Sequence, residues 1–375
     1  MNVDAITLAA VADEWSTLLA GARIDTIIAP TANAIAVQCY APGGAGGQEP
    51  EAGRSGANRW LYLSAHPQLA RVHLTANKPA RMVSEPSAFV MLLRKYLEGT
   101  RIESIAQPRW ERVIELVASH RAGPDSDERV RYRLIVEVMG RISNIIFCDE
   151  QERILGALKH VGADINRYRV IAPNVPYVPP PPQHRSIGGL SLPRLDPASV
   201  TAEALHQAAL NEIAAFALPP MAVPAKSSRK ARQAELPLLW QLLTKHLLGF
   251  SQLIAREAVY RATGGIDAPL TQEAATWEEL AWNVRELAAL LDTHAWRPQL
   301  IERVASGEAS KAAGMEGASP GLLAFAPYVL EQYAETPDVR ARAMLSINAA
   351  IDDYYAGAEW RAAMESVRAP LRRVL

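Results

Sequence analysis

The sequence predicts an α+β protein, with a β-rich first half and a helical second half. Three observations predict it. Apolar–polar alternation broken by turn residues recurs from Arg23 to Glu150. A proline tract, "YVPPPPQ" from Tyr177 to Gln183, then interrupts the pattern. Beyond it, apolar residues recur every three to four positions. With 375 residues, two or three domains are expected. The boundaries expected are a β-rich domain over 1–178, a Pro-rich linker over 179–198, a helix-hairpin-helix region over 199–266, and a helical region over 267–375.

Asp13 to Leu19 reads as a short amphipathic helix, with Trp15, Leu18 and Leu19 on one side. Arg23 to Ala29 and Ala34 to Tyr40 read as strands. "APGGAGGQEPEAGRSGANR" reads as a glycine-rich surface insertion; it lacks the GK[ST] ending of a phosphate-binding loop. "RWLYLSAHP" and "ARVHLTA" are β-like runs inside a basic stretch. Arg54, Arg59, Arg71, Lys78 and Arg81 occur there with no acid among them. That charge suits either a solvated hairpin face or a groove wall for phosphates. "SEPSAFVMLLRKYLEG" is the clearest helix, with Ser84 as cap, Pro86 in the first turn and Gly99 as stop. Phe89, Leu92, Leu93, Tyr96 and Leu97 form its core stripe. Arg94 and Lys95 lie off it. "RIESIAQ", "RVIELVAS", "RYRLIVEVMG" and "SNIIFCDE" then predict an antiparallel or mixed sheet.

In the second half, Thr201 to Phe216 and Trp277 to Thr293 read as helices. "ELPLLWQLLTKHLLGFSQLIAREAVYRATGG" reads as two helices, the first closed by Gly249 and the second capped by Ser251. Such a turn offers free N–H groups that can hold a phosphate; an ordinary helical hairpin has the same pattern. "RPQLIERV" reads as a return strand, and Arg340 to the end as one long helix that turns basic near Arg361 to Arg373.

A net charge of −1 excludes a uniformly basic coat, though not a local patch. No signal peptide or membrane span is evident, and Cys39 and Cys148 form no CxxC pair, which fits a reducing cytoplasm. Catalytic patterns are missing: no HExxH, GxSxG or EF-hand loop occurs, and the histidines have no metal-ligand spacing. The expectation is a binding protein, not an enzyme, without cofactor or metal. Two places favour anion binding. "QPRWERVIEL" sets Glu111 and Arg112 at a strand start, with Trp110 beside them. "VMGRISNII" places Arg141, Ser143 and Asn144 after Gly140. Guanidinium groups there suit bidentate phosphate contacts, while Trp110 and Tyr132 are either stacking surfaces or packed hydrophobes.

Taken in order, "LYLSAHPQLARVHLT", "FVMLLRKYLEGTRIESIAQ", "ERV", "VEVMGRISNIIFCDE", "ILGALKHV" and "YVPPPP" resemble the NFACT family. "LLGFSQLIAREAVYRA" is similar to its helix-hairpin-helix segment, and "FAPYVLEQY" with "SINAAIDDYY" to the stretch before its coiled coil. The resemblance implies an NFACT-N domain similar to the N-terminal domain of formamidopyrimidine-DNA glycosylases. It also implies a role in ribosome-associated quality control. The implied partners are tRNA, specifically alanyl-tRNA, the large ribosomal subunit obstructed by peptidyl-tRNA, and an RqcP-like protein. The implied outcome is non-templated C-terminal alanine tailing, with the chemistry left to the peptidyl-transferase centre.

By the same resemblance, Glu111 and Arg112 fall on an Asp-Arg pair needed for tRNA handling, and Asp4 on an early functional aspartate. Arg94, Lys95, Arg141 and Asn144 are further candidate RNA contacts. The sequence departs from the family at Glu111, which replaces Asp, and at Ile142, which replaces His. Family members continue into a coiled coil and an NFACT-R domain, whereas this sequence stops after "MESVRAPLRRVL"; a truncated or short member, an RNA-binding module without tailing, is the alternative expected. A glycosylase activity is disfavoured because Asn2, not proline, follows Met1. An exported fibronectin-binding adhesin is disfavoured by the missing signal peptide.

Overall fold

Helix α1 (Ala5–Leu19) starts well before Asp13 because Asp4 occupies its N-cap. Asp4 is extended, and its carboxylate accepts the Thr7 N–H at 2.9 Å, satisfying one of the donors that a helix start leaves open. Trp15 and Leu19 are fully buried on its core side. The computed structural model describes residues 3–41, 57–123, 126–187, 190–217, 236–304 and 321–356. Most of the glycine-rich insertion and the basic Arg361–Arg373 segment lie outside the described residues.

Nine antiparallel strands form the main sheet: β1 (Arg23–Thr31), β2 (Ala34–Ala41), β3 (Ala57–Ser64), β4 (Arg71–Thr75), β5 (Arg101–Ala106), β6 (Val113–Arg121), β7 (Arg129–Glu137), β8 (Asn144–Cys148) and β9 (Ile154–Ala157). Their order, β4-β3-β2-β1-β5-β6-β7-β8-β9, is two meanders joined where β1 meets β5. Helix α2 (Ala88–Leu97) connects them and packs on β1 and β9. Ser87, not Ser84, caps it, with its hydroxyl accepting the Val90 N–H. The reason is local: Pro86 disfavours helical backbone at Glu85, so the helix begins only beyond it. One sheet face, α1 and α2 enclose the first core.

The expected proline linker is partly ordered as a hairpin of β10 (His184–Ile187) and β11 (Leu190–Pro193). Tyr177, before it, is fastened to the sheet: its hydroxyl donates to Glu137, a fully buried carboxylate that also receives two N–H bonds from Arg169. Helices α3 (Ala202–Ala217), α4 (Leu239–His246), α5 (Gln252–Thr263) and α6 (Ala274–Thr293) build a second core.

Two expectations fail here and one holds in part. Helix α4 ends at His246, so Gly249 lies beyond its cap and does not close it. Ser251 is the N-cap residue of α5, as expected, although its hydroxyl makes no capping bond. The long C-terminal helix is absent from the described residues 340–356: β12 (Gln299–Arg303), the expected return strand, pairs with both β13 (Gly321–Ala326) and β14 (Val339–Ala343), and only then does α7 (Ile347–Tyr355) form. The run "VRARA" has a strand period, which sets Arg340 and Arg342 beside the buried Glu302. Ser346 then caps α7. Among the described residues no helix is long and apolar enough to cross a membrane.

Candidate nucleic-acid interface

The loop between β5 and β6, residues 107–112, meets the helical half of the molecule. Glu111 N–H closes a turn on the Pro108 carbonyl at 2.9 Å, and the Gln107 amide donates to the Glu111 carbonyl. Trp110 takes a left-handed backbone, φ +63°, a conformation that costs an ordinary side chain energy and needs support from its surroundings. That support is the second core. The indole is 3% exposed, lies against Phe250, and donates its N–H to Asp196 at 3.0 Å. Trp110 is therefore no stacking surface for a base. Tyr132 is not one either: it is buried among Tyr96 and Phe147 in the first core.

A single side chain, Gln183 at the end of the proline tract, ties this loop to the α4–α5 turn. Its Nε2 donates to the Trp110 carbonyl at 2.9 Å and to Glu111 Oε1 at 3.2 Å, while its Oε1 accepts the Gly249 N–H at 3.1 Å. Both ends of the amide are satisfied. Gly249 is required by the fit: its φ is +65°, and a Cβ there would lie 2.9 Å from Ala5 Cβ and 3.1 Å from the Trp110 carbonyl oxygen. Asp4 completes the junction by accepting the Ser251 hydroxyl at 2.7 Å with its second carboxylate oxygen.

Arg112 sits in this junction, half-buried. Its guanidinium makes no hydrogen bond to any described residue. Burial pushes its pKa down, opposed by the charges of Asp4 and then Glu111. Burial also raises the Glu111 carboxyl, against the Gln183 hydrogen bond and the Arg112 charge. A second guanidinium, Arg194, feels the Arg112 charge; its own pKa is lowered by burial first and by Arg112 second. The site thus holds a desolvated arginine with donors to spare, which suits bidentate binding of a phosphate.

The sequence candidates separate into two groups. Asp4, Glu111 and Arg112 come together, although Asp4 is 2% exposed and both its oxygens are occupied, so it positions and supplies countercharge. The Gly140–Ile142 turn stands at the same end of the sheet, since Val138 N–H bonds the Arg112 carbonyl at 2.8 Å. There Arg141 is exposed, whereas Asn144 is buried, with its amide spent on Lys159 and Ile145. Arg94 and Lys95 belong elsewhere: Arg94 donates to the Ile27 carbonyl, and Lys95 lies over the Tyr96 ring. Gln183 and Arg194 escape a reading of the sequence; no local pattern marks residues whose partners lie some 50 to 70 positions away. Among the described residues no group of His, Cys, Asp or Glu is placed to hold a metal.

The fold is shared with solved structures. The fibrinogen binding protein from Staphylococcus aureus has a TM-score of 0.59 at 22% identity, over 94% of this chain and 98% of that one. The N-terminal part of the fibronectin/fibrinogen-binding protein from Streptococcus suis has a TM-score of 0.57 at 25% identity, over the same shares. In sequence, the Rqc2 homolog RqcH of Bacillus subtilis (strain 168) is 44% identical over 131 residues, 35% of this chain and 22% of that protein. The Rqc2 homolog RqcH of Streptococcus pneumoniae (strain D39) is 41% identical over 125 residues, 32% of this chain and 22% of that protein. The matched stretch thus spans about a fifth of the length of these curated relatives. The family model for the NFACT N-terminal and middle domains matches residues 4–189, which contain the whole nine-stranded sheet, Arg112 and Gln183. In this N-terminal portion, with RqcH among its relatives, the chain belongs to the NFACT family.

Proposed function

We propose that this chain is a tRNA- and large-ribosomal-subunit-binding part of the ribosome-associated quality-control machinery, working as RqcH does. In this reading it acts by binding and positioning, and the peptidyl-transferase centre does the chemistry. Its tRNA is alanyl-tRNA, held beside peptidyl-tRNA on the obstructed subunit with an RqcP-like protein, in the cytoplasm. The sheet corresponds to the glycosylase-like NFACT-N domain and α4–α5 to the helix-hairpin-helix.

One observation carries the reading: Arg112 keeps a half-buried guanidinium without a hydrogen-bond partner among the described residues, on the loop where the NFACT resemblance puts the tRNA-handling pair. No Arg112 nitrogen is among the buried atoms left without a partner, so its donors stay accessible to a phosphate, which would form charge-assisted hydrogen bonds with them. The adjacent exposed Arg141 extends the same end of the sheet. Filter binding of tRNA tests the proposal. Arg112→Ala should weaken binding about tenfold, the effect of removing one charge-assisted hydrogen-bonded interaction. Equal retention of tRNA by both proteins would remove Arg112 from the interface.

A further inference from the structure

We infer that Arg194 is a second phosphate-binding residue, which pairs with Arg112 to form a two-arginine clamp on the tRNA backbone. The inference rests on the reading of Arg112 as a tRNA contact and adds to it a residue outside the matched NFACT segment, residues 4–189.

Arg194 ends the hairpin of β10 and β11 and is locked in place. Its backbone N–H donates to the Gln183 carbonyl at 3.2 Å, so it sits across the hairpin from the residue that holds Trp110, Glu111 and Gly249. Its Nη1 donates to the Thr244 and Leu247 carbonyls, at 3.0 and 3.2 Å. These carbonyls belong to the C-terminal end of α4, where helices leave acceptors open. Leu195 and Leu248 zip the same two segments together through the backbone, at 2.8 and 3.0 Å. The stem is thereby fixed before any ligand arrives. Nη2 carries no bond to a described residue.

Arg194 thus stands beside Gln183, and Arg112 directly follows the Glu111 that Gln183 holds; in this half-buried junction the Arg112 charge lowers the Arg194 pKa further after burial. Both have lowered pKa values, and each is cationic at neutral pH in any case. The acids that face Arg112 do not relieve this fully. Asp4 has spent both oxygens on Thr7 and Ser251, and Glu111 receives Gln183. No carboxylate forms an ion pair with Arg194 among the described residues. An anion with several acceptor oxygens would satisfy both arginines at once, and a phosphodiester meets that description. Neutral ligands would leave the repulsion in place.

The test is titration of the 375-residue chain with bulk deacylated tRNA across a KCl series, followed by fluorescence anisotropy. Arg112→Gln, Arg194→Gln and the double variant are compared with wild type. Glutamine removes the charge but also shortens the side chain, so the salt slope and not affinity alone is the readout. Neutralising one phosphate-binding arginine should lower the slope of log affinity against log salt by about 0.7–0.9, and neutralising both by roughly twice that. A change in fold stability alone would not alter this slope. If Arg112→Gln lowers the slope and Arg194→Gln does not, the clamp is wrong while the Arg112 reading stands. If neither lowers it, the Arg112 reading itself fails. Should Arg194→Gln not fold, phenylglyoxal modification of the wild-type chain decides. Protection of Arg194 by saturating tRNA supports the clamp, and unchanged reactivity overturns it.

Discussion

Replacing Gly249 by alanine probes the junction that holds Arg112. Two costs add at this position. The backbone φ of +65° is left-handed, which penalises an L side chain by roughly 1–2 kcal/mol. The new Cβ would also lie 2.9 Å from Ala5 Cβ, 3.0 Å from Trp110 Cε3 and 3.1 Å from the Trp110 carbonyl oxygen. None of these is the loose end of a flexible chain, so overpacking adds about 1–3 kcal/mol. Alanine restricts the unfolded chain and returns about 0.4–1 kcal/mol. The net loss is about 3 kcal/mol, a large part of the stability of an ordinary domain. Gly264 supplies the control. Its φ is +72°, but nothing lies within 4 Å of its Cβ position. Gly264→Ala should therefore cost only about 1 kcal/mol. Urea unfolding of both variants measures the difference, about 2 kcal/mol from overpacking alone. Gly249→Ala should also weaken tRNA binding, because Trp110 and Gln183 must shift. Equal losses for the two variants would refute the tight approach of the α4–α5 turn to α1 and Trp110.

Three other perturbations follow from the structure. Glu137→Ala leaves Arg169, 6% exposed at its side chain, as an uncompensated buried charge; chemical denaturation should show a loss of about 3–5 kcal/mol, and a loss below about 1 kcal/mol would mean that the pair is solvated. Glu103 is lowered to about 2 by the Ser119 hydroxyl first, then by Arg131 and Arg129. Because its folded pKa lies below its unfolded value, its contribution to stability is present above about pH 4.5 and is lost as pH falls toward 2. A carboxyl NMR titration should find the low midpoint in wild type and a higher one in Ser119→Ala; equal midpoints would contradict the assignment. Glu111→Asp withdraws one acceptor from Gln183, which keeps its bond to the Trp110 carbonyl, so tRNA affinity should stay within about threefold. A greater drop in the same filter-binding assay would show that the longer carboxylate sets the position of Arg112.

Strands were legible because alternation survives along them; β1, β2 and β5 to β8 lie close to where the pattern puts them. The site was half legible. The loop "QPRWER" announced itself by charge at a strand start, and its order among family-like segments singled out Arg112. What surrounds the loop was not legible, since Gln183 and Gly249 meet Trp110 and Glu111 only through tertiary packing. Asp4 had a local signal that could have been read, an aspartate just before a run of apolar residues, which marks a helix N-cap. Ser251 had the same signal and does stand at the N-cap of α5, but its hydroxyl turns to Asp4 instead of to its own helix. The C-terminal error has another source. Arginine and alanine favour helix in isolation, yet "VRARA" completes a sheet around the buried Glu302. Tertiary context decided all of these.

In the proposed function, Arg112 meets RNA backbone at the junction of sheet and helices. An experimentally determined structure of this chain on a large ribosomal subunit that carries peptidyl-tRNA tests it most directly. A tRNA phosphate should lie within hydrogen-bonding reach of the Arg112 guanidinium, with Gln183 still bridging Glu111 and Gly249. Bound tRNA that leaves Arg112 facing protein alone would contradict it.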